Sequence, residues 1–327
     1  MNYKNVITIL GHEIPLGTSK EINFNIAKLH TANKIAVPII VERSKIPGPT
    51  ILFIAGIHGD EINGVDIVRQ LIAKNINKPK RGTIICMPIL NVFGFLNGSR
   101  DFPDGRDLNR VFPGLANGSL ASRVAYKLMN EVIPDVDLVV DFHTGGASRF
   151  NAPQVRIVND QPELDALAQI FAAPFVLYSN HIAKSFRNAC FQLGKPVILF
   201  EGGKSYFVDD TISKIGVEGV KRVLQHFDML HSKIKVTIPK QATIFVEESK
   251  WLRAKKSGMF KARVGVNSKV NIDDVVGQIT DPYGKMYHEV KSPIEGYILN
   301  VNEASLVYQG DALFHISTKI KLDNRDI

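Results

Sequence analysis

Between about residue 35 and residue 230, short apolar runs rich in β-branched residues alternate with stretches of helical period. The runs IAVPIIV (35–41), TILFIA (50–55), TIICMPI (83–89), LVVDF (138–142), QVRIV (154–158), PFVLY (174–178) and PVILF (196–200) predict strands. Several lack the polar alternation of a half-exposed strand, as a sheet buried on both faces requires. Ile62, Val65, Val68 and Ile72 fall on one helical face after the second run. Leu120, Ala121, Val124, Leu128 and Val132 do so before LVVDF, and Val217, Val220, Leu224 and Phe227 after the last run. This order predicts an α/β unit with a mostly parallel mixed sheet flanked by helices.

Two segments depart from that pattern. Residues 91–118 are rich in Gly, Asn, Asp, Arg and Pro and too long for a simple connection, which marks a functional loop. After about residue 236 the helical period stops and strand-and-turn sequence follows, so the expected units are 1–236 and 237–327. The second unit carries a weak repeat. Val270, Asp274 and Ile279 have the spacing V-x3-D-x4-I, as do Val307, Asp311 and Ile316, and Gly258 and Gly296 precede each Val at matching distances. Two related half-sheets facing each other, each turning at its Asp, are expected. The stretch SPIEGYILNVNEASLVYQGDALFHI resembles a biotinyl/lipoyl-type β-domain. Lys285 stands near the position of a carrier lysine, but PYGKMY is not a carrier context, and Lys285 reads as a surface turn lysine.

Composition narrows the class. The 327 residues are 45% hydrophobic and carry 40 Lys+Arg against 32 Asp+Glu, a formal charge of +8 that suits anionic ligands. Residues 250–269 hold seven basic residues and no acid, yet only Trp251 and Phe260 could stack on bases, so a solvated basic face is expected rather than a nucleic-acid surface. Cys86 and Cys190 lie in apolar segments and read as buried thiols. There is no convincing signal peptide and no run long enough to span a bilayer, so a cytoplasmic protein is expected.

Chemistry concentrates where the apolar runs stop. In TILFIAGIHGDEINGV, His58 and Glu61 follow a strand; three apart in a first helical turn, they would share a face and reach one cation. His143 leaves LVVDF into a Gly-Gly loop, and Glu201 leaves PVILF likewise. Ligands bind at strand carboxyl ends in open α/β sheets, so these groups should converge. Two His and one Glu are a catalytic zinc set, and a further carboxylate would serve as base; His58, Glu61 and His143 fill the first role and Glu201 the second. The loop NVFGFLNGSRDFPDGRDLNRVFPG adds Arg100, Arg106, Asn109 and Arg110, groups suited to a carboxylate or a developing oxyanion.

The motifs H-G-D-E, D-L-N-R-x-F-P-G, D-F-H-T-G-G and F-E-G-G, in this order, resemble the succinylglutamate desuccinylase/aspartoacylase family, zinc deacylases that share the zinc carboxypeptidase α/β core and carry a C-terminal β-domain. The resemblance implies one zinc on His58, Glu61 and His143, water activation by Glu201, and an α-carboxylate held by Asn109 and Arg110. It leaves the scissile carbonyl to Arg100 or Arg106 and makes Arg187 a further substrate contact. Bland readings compete: Asp60 as a helix cap, Arg106 as a partner of Asp104 or Asp107, and His181 as a bystander, whereas Asp141, on one strand face with His143, could back that ring. The expected activity is amide hydrolysis of an N-acyl amino acid, a small anionic substrate, with no nucleic-acid or membrane partner and self-association left open. A carboxypeptidase of small peptides, or a non-catalytic metal, anion or carrier protein, is the alternative.

Overall fold

The computed structural model describes residues 3–159, 161–239 and 241–322. The ends of the two expected units, residues 1–2 and 323–327, lie outside the described residues. The strands are β1 (Val6–Ile9), β2 (His12–Pro15), β3 (Ser19–Lys28), β4 (Lys34–Arg43), β5 (Thr50–Ala55), β6 (Thr83–Met87), β7 (Leu138–Gly145), β8 (Arg149–Ile157), β9 (Phe175–Tyr178) and β10 (Val197–Lys204). The helices are α1 (Ile62–Ala73), α2 (Val92–Asn97), α3 (Leu120–Glu131), α4 (Pro162–Phe171), α5 (Phe186–Gln192) and α6 (Asp210–His226). Eight strands follow α6: β11 (Ile244–Arg253), β12 (Gly258–Ala262), β13 (Lys269–Val270), β14 (Val275–Thr280), β15 (Tyr287–Lys291), β16 (Gly296–Asn302), β17 (Leu306–Val307) and β18 (Ala312–Leu322). All seven predicted strands form. The strand content of residues 3–34 and helices α2, α4 and α5 went unread, the helices because they are short or interrupted by polar residues.

The main sheet is mixed. β6, β5, β7 and β10 run parallel at its centre, with β4 antiparallel to β6 and β8 antiparallel to β10. Its apolar runs divide their side chains between two cores by the period-2 rule. Leu52, Ile54, Ile85, Met87 and Val139 enter one core with α3 and α5. Ile51, Phe53, Ile84, Cys86, Val140 and Phe142 enter the other, with α1, α4 and α6. Polar residues have no exposed face to occupy there, which explains the continuous apolar runs. Both cysteines are buried free thiols. Among the described residues no helix is long and apolar enough to cross a membrane.

The C-terminal strands form two four-stranded arrays with matching order. One is β15-β14-β12-β17, and the other is β11-β18-β16-β13. The repeat supplies the match: Gly258 pairs with Val307, and Gly296 pairs with Val270, so each glycine sits opposite the valine of the other half. Asp274 Oδ2 accepts from Asn271 N at 2.7 Å and Asp311 Oδ2 from Tyr308 N at 2.8 Å, giving the two expected turns. The arrays face each other across Phe260, Val276, Ile279, Ile298, Phe314 and Ile316. The seven basic residues of 250–269 are all exposed, as a solvated face requires. One array is not separate from the main sheet, however. β11 pairs with β9 and β16 pairs with β8, so the sheet runs through twelve strands into the C-terminal unit. Removing either turn carboxylate, Asp274→Ala or Asp311→Ala, should lower stability in urea unfolding by roughly 0.5–1.5 kcal/mol, the worth of one such bond; unchanged midpoints for both would refute their role as turn anchors.

Candidate active site

β5 ends at Ala55, and Gly56 at φ 62° takes the left-handed turn that lets the chain leave the sheet. Gly59 then passes so close to α2 that a Cβ there would stand 1.9 Å from the carbonyl carbon of Gly94. Only glycine allows this approach, which brings His58 and Glu61 back over the strand ends. The two residues lie in a turn ahead of α1, closed by Glu61 N donating to His58 O at 3.3 Å, and not in a first helical turn. Glu61 is the residue at the helix N-cap position, and among the described residues no side chain caps α1, which corrects the reading of Asp60 as a cap. β7 continues past Phe142 to Gly145 and β10 past Phe200 to Lys204, so His143 and Glu201 are strand residues and direct neighbours in the parallel register.

His58, Glu61 and His143 are brought together, each with at most 5% of its surface exposed, and one potential ligand atom of each lies within 4.8 Å of the others. His58 Nδ1 is 2.7 Å from Glu61 Oε1, and His143 Nδ1 is 2.8 Å from Oε2. The far nitrogens are backed by carboxylates: His58 Nε2 is 3.2 Å from Asp107 Oδ1, and His143 Nε2 is 3.1 Å from Asp141 Oδ2. Carboxylates there hold each ring with Nδ1 turned inward, the arrangement seen behind metal-bound histidines. Two imidazole nitrogens and a carboxylate within this distance fit the ligand set of a zinc ion. Burial opposes charge on both imidazoles, but the surrounding carboxylates override it and raise both pKa values, that of His143 well above 6.5. Burial also opposes charge on Glu61, and the two imidazoles override it, drawing its pKa well below the usual range.

A cavity of about 250 Å³ opens beside this cluster. Of the residues singled out from the sequence, His58, Glu61, Arg100, Asn109, Arg110, His143, Arg187 and Glu201 line it. Arg106 does not: it lies 3.6 Å from Asp104 Oδ2 with half its side chain in solvent, because the turn at Gly105 points it outward. Arg100 takes the inner position, donating through Nε and Nη2 to Asp107 Oδ2 and through Nη1 to Glu61 Oε1 at 3.3 Å. Asn109 Oδ1 accepts from Phe186 N at 2.8 Å, which pins the D-L-N-R turn to α5. Arg187 is spent on Ser179 Oγ and the carbonyls of Ser179 and Asn180, holding that loop against the cavity. Burial and the nearby Arg156 lower its pKa to about 10.

Several lining residues were not foreseen: Asn151 and Arg156 on β8, exposed Arg149, and Trp251 and Asn300 from the C-terminal unit. Glu201 Oε2 accepts from Asn151 Nδ2 at 2.7 Å and lies 3.1 Å from Arg156 Nη2. Trp251 stacks on His315 at 4.5 Å and 9°. Burial and Arg156 depress the His315 pKa to about 4, so the stacked ring is neutral at neutral pH. A polar residue inside an otherwise buried strand, such as Asn151 in RFNAPQV or Asn300 in YILNVN, was the available signal.

An α/β sheet that gathers two imidazoles, three carboxylates and five guanidiniums at one strand-end cavity has the groups to hold a divalent cation beside an anionic molecule. Residues 47–227, 181 of 327, match the family model of the succinylglutamate desuccinylase/aspartoacylase catalytic domain, and the chain belongs to that family. It is 26% identical over 260 residues to the N-alpha-acetyl-L-2,4-diaminobutyric acid deacetylase of Halomonas elongata, covering 76% of this chain and 75% of that one. The fold is shared with a succinylglutamate desuccinylase/aspartoacylase of Rhodobacter sphaeroides (TM-score 0.80, 22% identity, 94% of this chain and 96% of that one). It is shared equally with the product-bound ectoine utilization protein EutE (DoeB) of Ruegeria pomeroyi (TM-score 0.81, 22% identity, 97% and 100%).

The raised pKa of His143 has a measurable consequence in protein stripped of divalent metal. A group whose pKa is raised on folding contributes stability below its unfolded value, near 6.5, and loses it as pH climbs through the folded value. Glu61 does the reverse, losing its contribution as pH falls below about 4.5. The thermal midpoint of the stripped protein should therefore fall as pH rises from 6.5 toward 9, and His143→Gln should flatten that slope. An equal slope in both proteins would contradict the assignment.

Proposed function

We propose that this protein is a zinc-dependent hydrolase of the amide bond in a small N-acyl amino acid. The observation that carries this reading is the buried His58, Glu61 and His143 cluster with Glu201 on the adjacent strand, both facing one cavity. His58, Glu61 and His143 would hold zinc, which supplies a Lewis acid for the acyl carbonyl and acidifies water. Glu201 accepts the proton of the attacking water at Oε1, to which nothing donates among the described residues, and passes one to the leaving amine. Arg100 stands beside the ligand cluster, where a guanidinium can stabilise the charge that develops on the carbonyl oxygen. Arg110, which among the described residues has no acidic partner, and the Asn109 amide receive the α-carboxylate.

The cavity supports an anionic substrate. Arg100, Arg110, Arg149, Arg156 and Arg187 line it against Glu61, Asp141 and Glu201. Its volume of about 250 Å³ suits one acylated amino acid better than a peptide. The deacetylase name of the Halomonas relative supports the N-acyl amino acid class. We assign residues 1–236 as the catalytic unit and 237–327 as a biotinyl/lipoyl-like β-unit that walls the cavity with Trp251 and Asn300 instead of carrying an acyl group on Lys285.

Free-amine release from a panel of N-acyl amino acids and dipeptides, with zinc-loaded protein, tests this. Hydrolysis confined to acyl amino acids supports the reading, whereas efficient cleavage of dipeptides would make the protein a carboxypeptidase. Glu201→Gln should keep one zinc per chain and lose roughly 10²–10⁴-fold in turnover. Substantial residual activity would show that another group is the base.

A further inference from the structure

Glu201 is held by an amide that is itself held from outside the catalytic unit. Asn151 donates through Nδ2 to Glu201 Oε2 at 2.7 Å, and its own Oδ1 accepts from Asn300 Nδ2 at 2.6 Å. Asn300 belongs to β16 and stands directly opposite Asn151 in the antiparallel pairing of β16 with β8. Both amides are buried, with 2% of Asn300 and 4% of Asn151 exposed. We infer that Asn300 is a positioning residue for the general base, acting through Asn151.

The physical reason lies in the two ends of a carboxamide. One end accepts and the other donates, and a flip exchanges them. With Asn300 donating to Oδ1, the Asn151 NH₂ is directed at Glu201. Flipped, Asn151 would set its oxygen against a carboxylate oxygen at the same distance while its NH₂ met the Asn300 NH₂. The contact with Glu201 already opposes the flip, and the donor from β16 sets a second like contact against it, which strengthens the orientation. Arg156 approaches the same Oε2, at 3.1 Å. The two contacts together hold Oε2 to the protein and leave Oε1 without a donor among the described residues. Asn300 Oδ1 itself has no partner among the described residues. A buried amide with an unmet acceptor costs stability, so its packing alone does not account for this choice over an apolar residue of similar size.

This inference rests on the hydrolase reading, and the experiment separates the two. Three zinc-loaded variants are compared with the wild type: Asn300→Ala, Asn151→Ala and the double substitution. Asn300→Ala should lower kcat about ten- to hundredfold, as losses of supporting contacts around a reacting group do, with KM within about threefold and zinc content unchanged. Asn151→Ala should do at least as much, and the double variant should match Asn151→Ala alone, because Asn300 acts only through it. Losses that multiply in the double variant, or a KM rise at constant kcat, would overturn the proposal in favour of a strand-docking role. Asn300→Ser, whose hydroxyl is too short to reach Asn151, should reproduce the kcat loss if the alanine variant folds poorly. A crystal structure of the Asn300 variant gives a readout independent of activity: the Glu201 carboxylate should leave its single orientation. A Glu201 that stays in place overturns the proposal even if no substrate is ever hydrolysed, whereas a displaced Glu201 in a protein silent on the whole panel would sink only the hydrolase reading.

Discussion

Glu61 is a carboxylate with 2% of its surface exposed, and such a group is destabilising unless donors and positive charge surround it. The strand ends are arranged to meet that requirement. His58 and His143 place a ring nitrogen on each of its oxygens, the Thr144 N–H donates to Oε2 at 3.0 Å, and Arg100 reaches Oε1. Each imidazole is in turn backed by an aspartate, so charges of opposite sign alternate outward from Glu61 through the rings to Asp107 and Asp141. A divalent cation placed among the inward-facing atoms would replace protons as the balancing charge, which is why the same packing that keeps the cluster together also equips it for metal.

The tight backbone around the cluster follows from that need. Glu61 can reach both rings only because Gly56 turns the chain sharply and Gly59 lies against α2. Asp107 serves three elements at once: it caps the D-L-N-R turn by accepting from Asn109 N at 2.8 Å, receives Arg100, and orients His58. The long irregular loop is therefore the third wall of the site, tied to α5 through Asn109 and to the ligand cluster through Asp107.

How much of this was legible follows from where the information sits. The apolar runs of the central strands fixed their positions, because a sheet covered on both faces admits no polar alternation, and the H-G-D-E, F-H-T-G-G and F-E-G-G motifs stood out because polar residues end those runs. Arg100 and Arg106 could not be told apart from sequence, since the choice depends on a turn at Gly105 that sends one inward and the other to solvent. Asn151 and Asn300 carried a local signal, a polar residue in a buried strand, but what they and Arg156 touch was unreadable for another reason. Those partners come from strand pairing, β8 with β10 and β16 with β8, which no local spacing encodes. The internal repeat was readable, whereas the fusion of one of its halves to the main sheet was not, because the pairing edge of a strand leaves little trace in its side chains.

That fusion has a consequence for how the molecule comes into being. The outer edge of β9 and the far end of β8 are completed by β11 and β16, which the ribosome delivers only after His58, Glu61, His143 and Glu201. Until then the nascent α/β unit presents unpaired backbone beside an apolar surface, a template for wrong strand pairing between chains. The glycine–valine cross-pairing of the repeat adds a second delay, since neither half can close its array before the other has emerged. The segment made after α6 thus closes this side of the sheet, and a chain that ends within it would hold His58, Glu61, His143 and Glu201 together with an open edge.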